Sequence, residues 1–388
     1  MTNLIKQSVY IPVYKDVKTI LKRILVTGAG GPASTNVIKS LRLAPEPFYI
    51  VGCDINKYRQ YLHFADSFYL VPRATDEDYI QAIKKIIKEE EIEFIFPQPD
   101  IEVQIIGAHR DELGAMTFLP AQETIINCQD KWLSFEKWKA AGVPVPPTIE
   151  LNKLFEEGAG TQIFYRRSLE EFMSQIKPPY WIRGTKGAGG TGSTKADNIQ
   201  TIENWVQYWR ARGSDWNFII SEYLPGRNIG WHSIWKDGQL LVSATRERLE
   251  YIYPYLSPSG ITGTPTVQKT IWDEKVNDIG QRSVLAVDKN FTGLACVDLK
   301  EDKNGIPNPT EINPGRMFTT SLFFSKASQE VWGDWRVNFP YINVRLGYDE
   351  LIPYYETEKF HKFNALPPEL YYIRHMDMGE KIVDFRKL

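Results

Sequence analysis

The sequence predicts a mixed fold, an α/β leading domain with a parallel sheet followed by a larger α+β region, and three observations carry that expectation. From Arg23 to about residue 125, apolar strands, turns and amphipathic helices alternate, the pattern of a parallel sheet with crossover helices. The breaker-rich VPVPP at 143–147 then interrupts the chain. Beyond it, runs such as YWIRG, NFIISEYL and QLLVSATRERL follow one another between Gly and Pro turns, which is an α+β texture.

The elements follow in order. Ile24-Leu25-Val26 is the first strand, a glycine turn leads to a helix over 34–43, and FYIVGCD is the second strand. DEDYIQAIKKIIKEEEI reads as a helix feeding the third strand, FIFPQPD. LSFEKWKAAG is a short amphipathic helix stopped by Gly142. Helices return at about 273–290 and 339–347, and the alternating YYIRHMD adds a late strand. Residues 1–20 show no clear period and form an N-terminal extension.

Composition narrows the function classes. A chain of 388 residues exceeds the span of one growing core, so two or three domains are expected. The net charge of −2 offers no overall field for nucleic acid or an anionic membrane, so any anion site is local. Cys53, Cys128 and Cys296 are too scattered for a disulfide framework or a thiolate zinc site and read as small buried residues. No apolar run approaches a membrane span and the N-terminus lacks the apolar centre of a signal peptide; the expected location is cytoplasmic.

VTGAGGPA (26–33) can be written G-x-G-x-x-A over Gly28, Gly30 and Ala33, and Asp54 ends the next strand. Those are elements of a dinucleotide fingerprint, in which glycines admit a pyrophosphate and the acid takes a ribose hydroxyl. Pro32 removes one backbone donor from the turn. A dinucleotide cradle and a plain strand-to-helix turn are both open on the loop alone.

RGTKGAGGTGSTK (183–195) carries Gly187, Gly189, Gly190 and Gly192 with basic residues at both ends. Ordering such a segment is entropically costly, so closure over an anion is the functional reading, with a flexible hairpin tip as its alternative. It lacks the ending of a P-loop, and Arg183 in the preceding strand can pair with a phosphate.

The richest stretch is VDLKEDKNGIPNPTEINPGR (297–316). A two-residue Asn304-Gly305 turn sets Lys303 opposite Ile306 and, counting back, Asp298 opposite Glu311. Asn313 then projects on the same face as Glu311. Facing carboxylates with a third oxygen donor suit a hard cation such as Mg²⁺ carrying ATP. A solvated acidic hairpin explains Asp302 and Lys303 but not Glu311 in its apolar context.

Taken in order, Asp130-Lys131, the helix ending AGVPVPP, a strand and glycine-rich loop, SEYLPG, and D…EINPGR resemble the ATP-grasp ligases, in particular the carbamoyl phosphate synthetase large-subunit type and its carboxylate–amine ligase relatives. The resemblance covers about residues 21–345. It implies a Rossmann-like pre-ATP-grasp domain (21–125), an ATP-grasp lid subdomain with its linker helix (126–220), and a C-terminal subdomain with the metal site (221–388). ATP lies between the last two. Carried over by position, Lys131, Arg183 and Lys186 contact its phosphates, and Gly187, Gly189, Gly190, Thr191, Gly192 and Ser193 form the lid loop. Glu222, Tyr223 and Leu224 form the hinge that reads adenine. Asp298, Glu311 and Asn313 hold Mg²⁺ or Mn²⁺, and Arg316 neutralises the transferred phosphoryl group.

Two positions depart from the family's pattern. Asn228 stands where relatives often carry a ribose-binding acid, and it keeps the ability to hydrogen-bond a ribose; Gly315 is inserted before Arg316. Arg246 and Arg248 share a strand face and suit a carboxylate substrate, with a surface basic pair as the alternative. SGITGTPT (259–266) reads as a substrate-side loop. Asp100 and Glu102 either meet an amine or cap a helix start.

The expected function is therefore an ATP-dependent ligase that activates a small carboxylate as an acyl phosphate for attack by an amine, giving an amide, ADP and phosphate. Expected partners are small carboxylates and amines, not nucleic acid or membrane, and a homo-oligomer is compatible. An NAD(P)-dependent oxidoreductase using the first loop and a non-catalytic nucleotide-binding module are the alternatives.

Overall fold

The computed structural model describes residues 21–151, 166–187, 189–214, 216–356, 360–375 and 379–387, so the expected extension at 1–20 lies outside the described residues. Three sheets organise the described residues. The first is parallel, in the order β3-β2-β1-β4, from β1 (Lys22–Thr27), β2 (Phe48–Asp54), β3 (Ser67–Leu70) and β4 (Phe94–Phe96). Helices α1 (Pro32–Leu41), α2 (Tyr79–Glu89) and α3 (Asp100–His109) cross between or leave these strands. Pro32 occupies the first turn of α1, where its missing N–H costs nothing because that donor has no helical partner.

Two short helices lead out of this domain, α4 (Gln122–Gln129) and α5 (Lys131–Ala140). Asp130 separates them and caps α5, accepting from the backbone N–H groups of Trp132 and Leu133. A four-stranded antiparallel sheet follows, β5 (Thr148–Glu150), β6 (Tyr180–Gly184), β7 (Thr194–Ala196) and β8 (Phe218–Glu222), in the order β5-β8-β6-β7. It is backed by α6 (Arg166–Gln175) and α7 (Ile199–Ala211). Leu169, Ile182, Ile202, Val206, Phe218 and Ile220 give this unit a core of its own.

The largest sheet is antiparallel, β13-β12-β9-β10-β11-β14-β15. Its strands are β9 (Asn228–Lys236), β10 (Gln239–Tyr251), β11 (Pro265–Thr270), β12 (Gly293–Glu301), β13 (Pro307–Pro314), β14 (Leu370–His375) and β15 (Gly379–Asp384). Helix α8 (Glu274–Val287) covers one face, where Trp231, Trp235 and Val297 pack. Helices α9 (Leu322–Trp332) and α10 (Phe339–Gly347) lie between the other face and the leading domain. One continuous core joins Ile24, Phe94 and Phe96 of the parallel sheet to Ile234, Val242, Phe323 and Phe339. The leading domain and the large sheet are therefore welded together, whereas the small sheet is packed separately.

The β12–β13 hairpin departs from its expected turn. Asp302 N–H donates to Ile306 O, Gly305 N–H donates to Asp302 O, and Gly305 has φ +73°, which makes a three-residue loop with glycine at the left-handed position. That loop shifts the outer pairs by one residue, so Leu299 faces Pro309. An irregularity between Asp298 and Leu299 shifts them back, and Asp298 faces Glu311 as expected. All three cysteines are free and buried, and among the described residues no helix is long and apolar enough to cross a membrane.

Candidate active site

A cavity of about 780 Å³ lies between the small sheet and the large one, within the size range of small-molecule sites. Its floor is a row across four strands. Arg246 on β10 pairs with Gly230 on β9, Gly230 with Asp298 on β12, and Asp298 with Glu311 on β13. Side chains two residues along a strand share a face, so Arg248, Lys300 and Asn313 extend the same floor.

Gly230 explains how the row holds together. A Cβ there would lie 2.9 Å from His232 Nε2, 3.3 Å from Arg248 Nη2 and 3.4 Å from Arg246 Nε. The missing side chain leaves a channel through which Arg248 crosses β9 and donates from Nη2 to Asp298 Oδ1. Its other arm donates from Nη1 to Asn228 Oδ1 at 2.7 Å. Burial opposes the charge of Arg248, but Asp298 and Tyr251 more than reverse this, so its pKa is raised.

The two facing carboxylates are placed differently. Burial raises the pKa of Asp298, opposed by Arg248 and assisted by the Glu311 charge. Enclosure also works against Glu311, yet Lys131 and Arg183 bring its pKa down to about 2. Lys131 Nζ stands 3.4 Å from Glu311 Oε2 and donates to Gly187 O at 2.9 Å. The cap formed by Asp130 starts α5 so that its first side chain reaches this point.

Arg246 is 1% exposed and has neutral partners. Nε donates to His232 Nε2 at 3.0 Å, Nη1 donates to Thr320 Oγ1 at 2.6 Å and to Gln268 Oε1, and the guanidinium lies 4.1 Å from the Phe318 ring centre. Burial and the neighbouring Arg248 lower its pKa to about 9. Both arginines are walls of the cavity, so the reading of a surface basic pair is corrected: Gly230 and the large sheet enclose them. Arg183 also lines it, with Nε buried and without a hydrogen-bond partner. An anion would satisfy both groups.

The other expected residues are distributed as follows. Gly187, Gly189, Gly190, Thr191, Ser193, Glu222, Tyr223, Leu224, Asn228, Asn313 and Arg316 line the cavity. Lys186 is exposed and outside its wall, because β6 has ended and the side chain turns to solvent. Gly192 is buried behind the wall beneath the Trp216 ring. Asn228 donates from Nδ2 to Tyr251 OH at 2.9 Å while accepting from Arg248, so its amide is engaged within the wall. The glycine loop meets SGITGT: a Cβ on Gly190 would come 2.7 Å from Ile261 O, and one on Gly263 2.9 Å from Gly189 Cα. Together these loops roof the cavity.

Arg316 faces the leading domain. It donates from Nε and Nη2 to the two carboxylate oxygens of Asp100, and from Nη2 to Asn313 Oδ1. Inserted Gly315 permits this: its φ is +67°, and a Cβ would lie 2.6 Å from Leu119 Cδ2. Asp100 and Glu102 make no side-chain cap on α3, which corrects the capping alternative. Asp100 is the acid that orients Arg316. Glu102 is buried, with Oε2 unpartnered, and burial raises its pKa to about 7.

The first glycine loop is filled by the protein itself. Gly30 N–H donates to Asp54 Oδ2 at 3.0 Å, and Arg59 Nη1 donates to Gly30 O at 2.8 Å. A Cβ on Gly30 would lie 2.3 Å from Arg59 Cβ, and one on Gly28 2.6 Å from Pro99 Cγ. Asp54 and the space a pyrophosphate would need are already used, so the loop is a scaffold turn.

Sequence reasoning missed Gly230, Lys300 and Trp181, all part of the site. Lys300 donates to Gly226 O at 2.8 Å, and burial lowers its pKa. Alternation from Asp298 and from Arg183 marks Lys300 and Trp181, and a glycine inside a strand is itself a sign of close approach. Among the described residues no group of three or more His, Cys, Asp and Glu side chains gathers, so a hard cation would be held by two carboxylates and Asn313. These donors fit one: they are oxygens, and the facing carboxylates are at present neutralised by Arg248 and Lys131.

The parallel leading sheet, the separately packed four-stranded sheet and the large antiparallel sheet form a fold shared with solved ligases and carboxylases. Residues 24–118 match the family model described as PylC-like, N-terminal domain. The L-amino acid ligase from Bacillus licheniformis has a TM-score of 0.63 at 13% identity, covering 90% of this chain and 78% of that one. A biotin carboxylase–β-γ-ATP complex from Campylobacter jejuni gives 0.65 at 16%, covering 91% and 75%. N5-carboxyaminoimidazole synthetase from Staphylococcus aureus, complexed with ADP, gives 0.64 at 13%, covering 91% and 82%. At these identities the likeness is one of fold. No curated protein is significantly similar to the chain.

Proposed function

We propose that the chain is an ATP-dependent carboxylate–amine ligase, giving an amide, ADP and phosphate. The observation that carries this reading is Asp298 facing Glu311 on the floor of a cavity whose lining also carries Lys131, Arg183, Arg246, Arg248, Lys300 and Arg316. A carboxylate is a poor electrophile until its oxygen is phosphorylated. Joining two anions demands neutralising charge and exclusion of water rather than a covalent protein nucleophile.

In this reading Asp298, Glu311 and Asn313 would hold Mg²⁺ or Mn²⁺, which would neutralise phosphate charge. Arg183 and Lys131 bind the phosphates from the lid side. Glu222, Tyr223 and Leu224, where the small sheet joins the large one, hold adenine against the cavity wall. The Gly187–Ser193 loop excludes water. Arg246, which has neutral partners, takes the substrate carboxylate, and Arg316, oriented by Asp100, steadies the transferred phosphoryl group. The structural neighbours named as an amino acid ligase and as complexes with adenine nucleotides support this reading.

The test is phosphate release by the purified protein with Mg²⁺, ATP and mixed amino acids. Release that requires both a carboxylate and an amine supports the proposal. Absence of release with every pool, in protein shown to be folded, counts against it.

A further inference from the structure

A second set of side chains supports the glycine loop from behind. The indole of Trp216, just before β8, lies against both ends of that loop. A Cβ on Gly184 would come 3.0 Å from Trp216 Cε3, one on Gly192 3.0 Å from Cζ3, and one on Gly187 3.8 Å from Cη2. Gly187 and Gly192 have φ of +97° and +75°, which already favours glycine. Gly184 has no such dihedral, so there the ring and the Lys186 carbonyl, 3.2 Å away, exclude a side chain. The glycine spacing is thus matched to one indole as well as to a ligand.

The platform extends beyond Trp216. Trp205 on α7 donates from Nε1 to Gly192 O at 2.9 Å. Trp209 links the two, its ring centre 5.1 Å from that of Trp216 and 6.0 Å from that of Trp205. Thr185 N–H donates to Asn217 O at 2.8 Å, tying the start of the loop to the residue after Trp216. On the cavity side, Lys131 holds Gly187 O. Ordering a glycine-rich segment is entropically costly. A rigid aromatic surface bearing on several glycines lowers what a ligand must contribute.

We propose that Trp216 is a positioning residue for phosphate binding: it pre-forms the glycine loop at residues 185–187 and 189–193 over the cavity, with the Trp205 hydrogen bond setting the Gly192 carbonyl. This rests on the reading of the cavity as an ATP site. Because the loop and the hinge are different walls, loss of the platform separates two kinds of affinity. Binding that depends on phosphates falls, and binding that depends on the base does not.

The test is calorimetric binding of ATP with Mg²⁺, and of adenosine by competition, to the wild type, Trp216→Ala, Trp216→Phe and Trp205→Phe. Trp216→Ala is expected to weaken ATP tenfold or more and adenosine less than twofold, and Trp216→Phe to return ATP to within threefold of the wild type. Trp205→Phe, which removes the Nε1 donor, shifts ATP in the same direction by less. Equal weakening of ATP and adenosine, or no weakening of ATP in a folded Trp216→Ala protein, overturns the proposal. Should Trp216→Ala not fold, the same comparison in Trp205→Phe decides. A wild type that binds neither ligand overturns the ligase reading itself, and one that binds them equally overturns only the role of the loop.

Discussion

Arg248 reaches Asp298 across an intervening strand, and the crossing exists because Gly230 carries no side chain. Gly230 has no positive φ, so alanine there meets crowding and not backbone strain. Gly230→Ala is expected to displace Arg248 and His232 and to lower ATP-dependent turnover at least tenfold while a cooperative melt is kept. Phosphate release and thermal unfolding measured on the same preparation check this.

Arg246 tests substrate recognition separately from nucleotide binding. Its partners are neutral, so Arg246→Gln is expected to raise KM for the carboxylate by tenfold or more and KM for ATP by less than threefold. A larger change for ATP would move Arg246 to the phosphate side of the cavity.

Asp100 and Arg316 are 216 residues apart in sequence, and their pairing ties the leading domain to the cavity wall. Asp100→Asn keeps the shape and removes the charge that orients the guanidinium. A fall in kcat of roughly tenfold is expected, with little further loss when Arg316→Lys is added, because both changes act on one interaction. Additive losses in this double-mutant cycle would separate the two residues.

Glu102 gives a pH prediction. Burial raises its pKa to about 7, well above that of an unfolded glutamic acid. The folded chain therefore holds a proton that the unfolded chain releases first, so this contribution is present below about pH 4.5 and is lost as pH rises through about 7. Glu102→Gln is expected to raise stability at pH 8 by roughly 3 kcal/mol and to leave it nearly unchanged at pH 4. Denaturant unfolding at the two pH values reads the difference.

The first glycine loop makes a negative prediction. Because Arg59 and Asp54 occupy it, calorimetry with NAD or NADP is expected to show no binding. Micromolar binding would restore the oxidoreductase alternative.

Much of the fold is legible in sequence where one face of an element is wet. The amphipathic α2, with Ile83, Ile86 and Ile87 inward, is visible in its period, as is the strand, turn and helix from Lys22 to Leu41. Strand β9 shows no alternation because residues 229–235 are buried throughout, so the centre of the large sheet left no pattern. Helix α7, crowded with Trp205, Tyr208 and Trp209, has aromatic residues of middling helix propensity and sits among strand-like runs.

The site was legible in part for a similar reason. Alternation and hairpin counting bring Asp298 to Glu311, yet the count succeeds through two offsets that cancel, the three-residue loop at Gly305 and the irregularity after Asp298. The Asp100–Arg316 pair, the Trp216 platform and the channel at Gly230 depend on contacts between elements far apart in sequence, which no local period encodes.

The most direct test of the ligase account follows the oxygen. A pool of amino acids labelled with ¹⁸O in the carboxylate is incubated with the protein, Mg²⁺ and unlabelled ATP, beside Glu311→Gln. The carboxylate oxygen attacks the γ-phosphorus, ADP leaves, and the amine then displaces phosphate from the acyl carbon, so phosphate departs with the substrate oxygen. The account predicts one ¹⁸O per phosphate released by the wild type and at least a hundredfold slower release by Glu311→Gln. Phosphate without label, or a Glu311→Gln protein that turns over like the wild type, would contradict it.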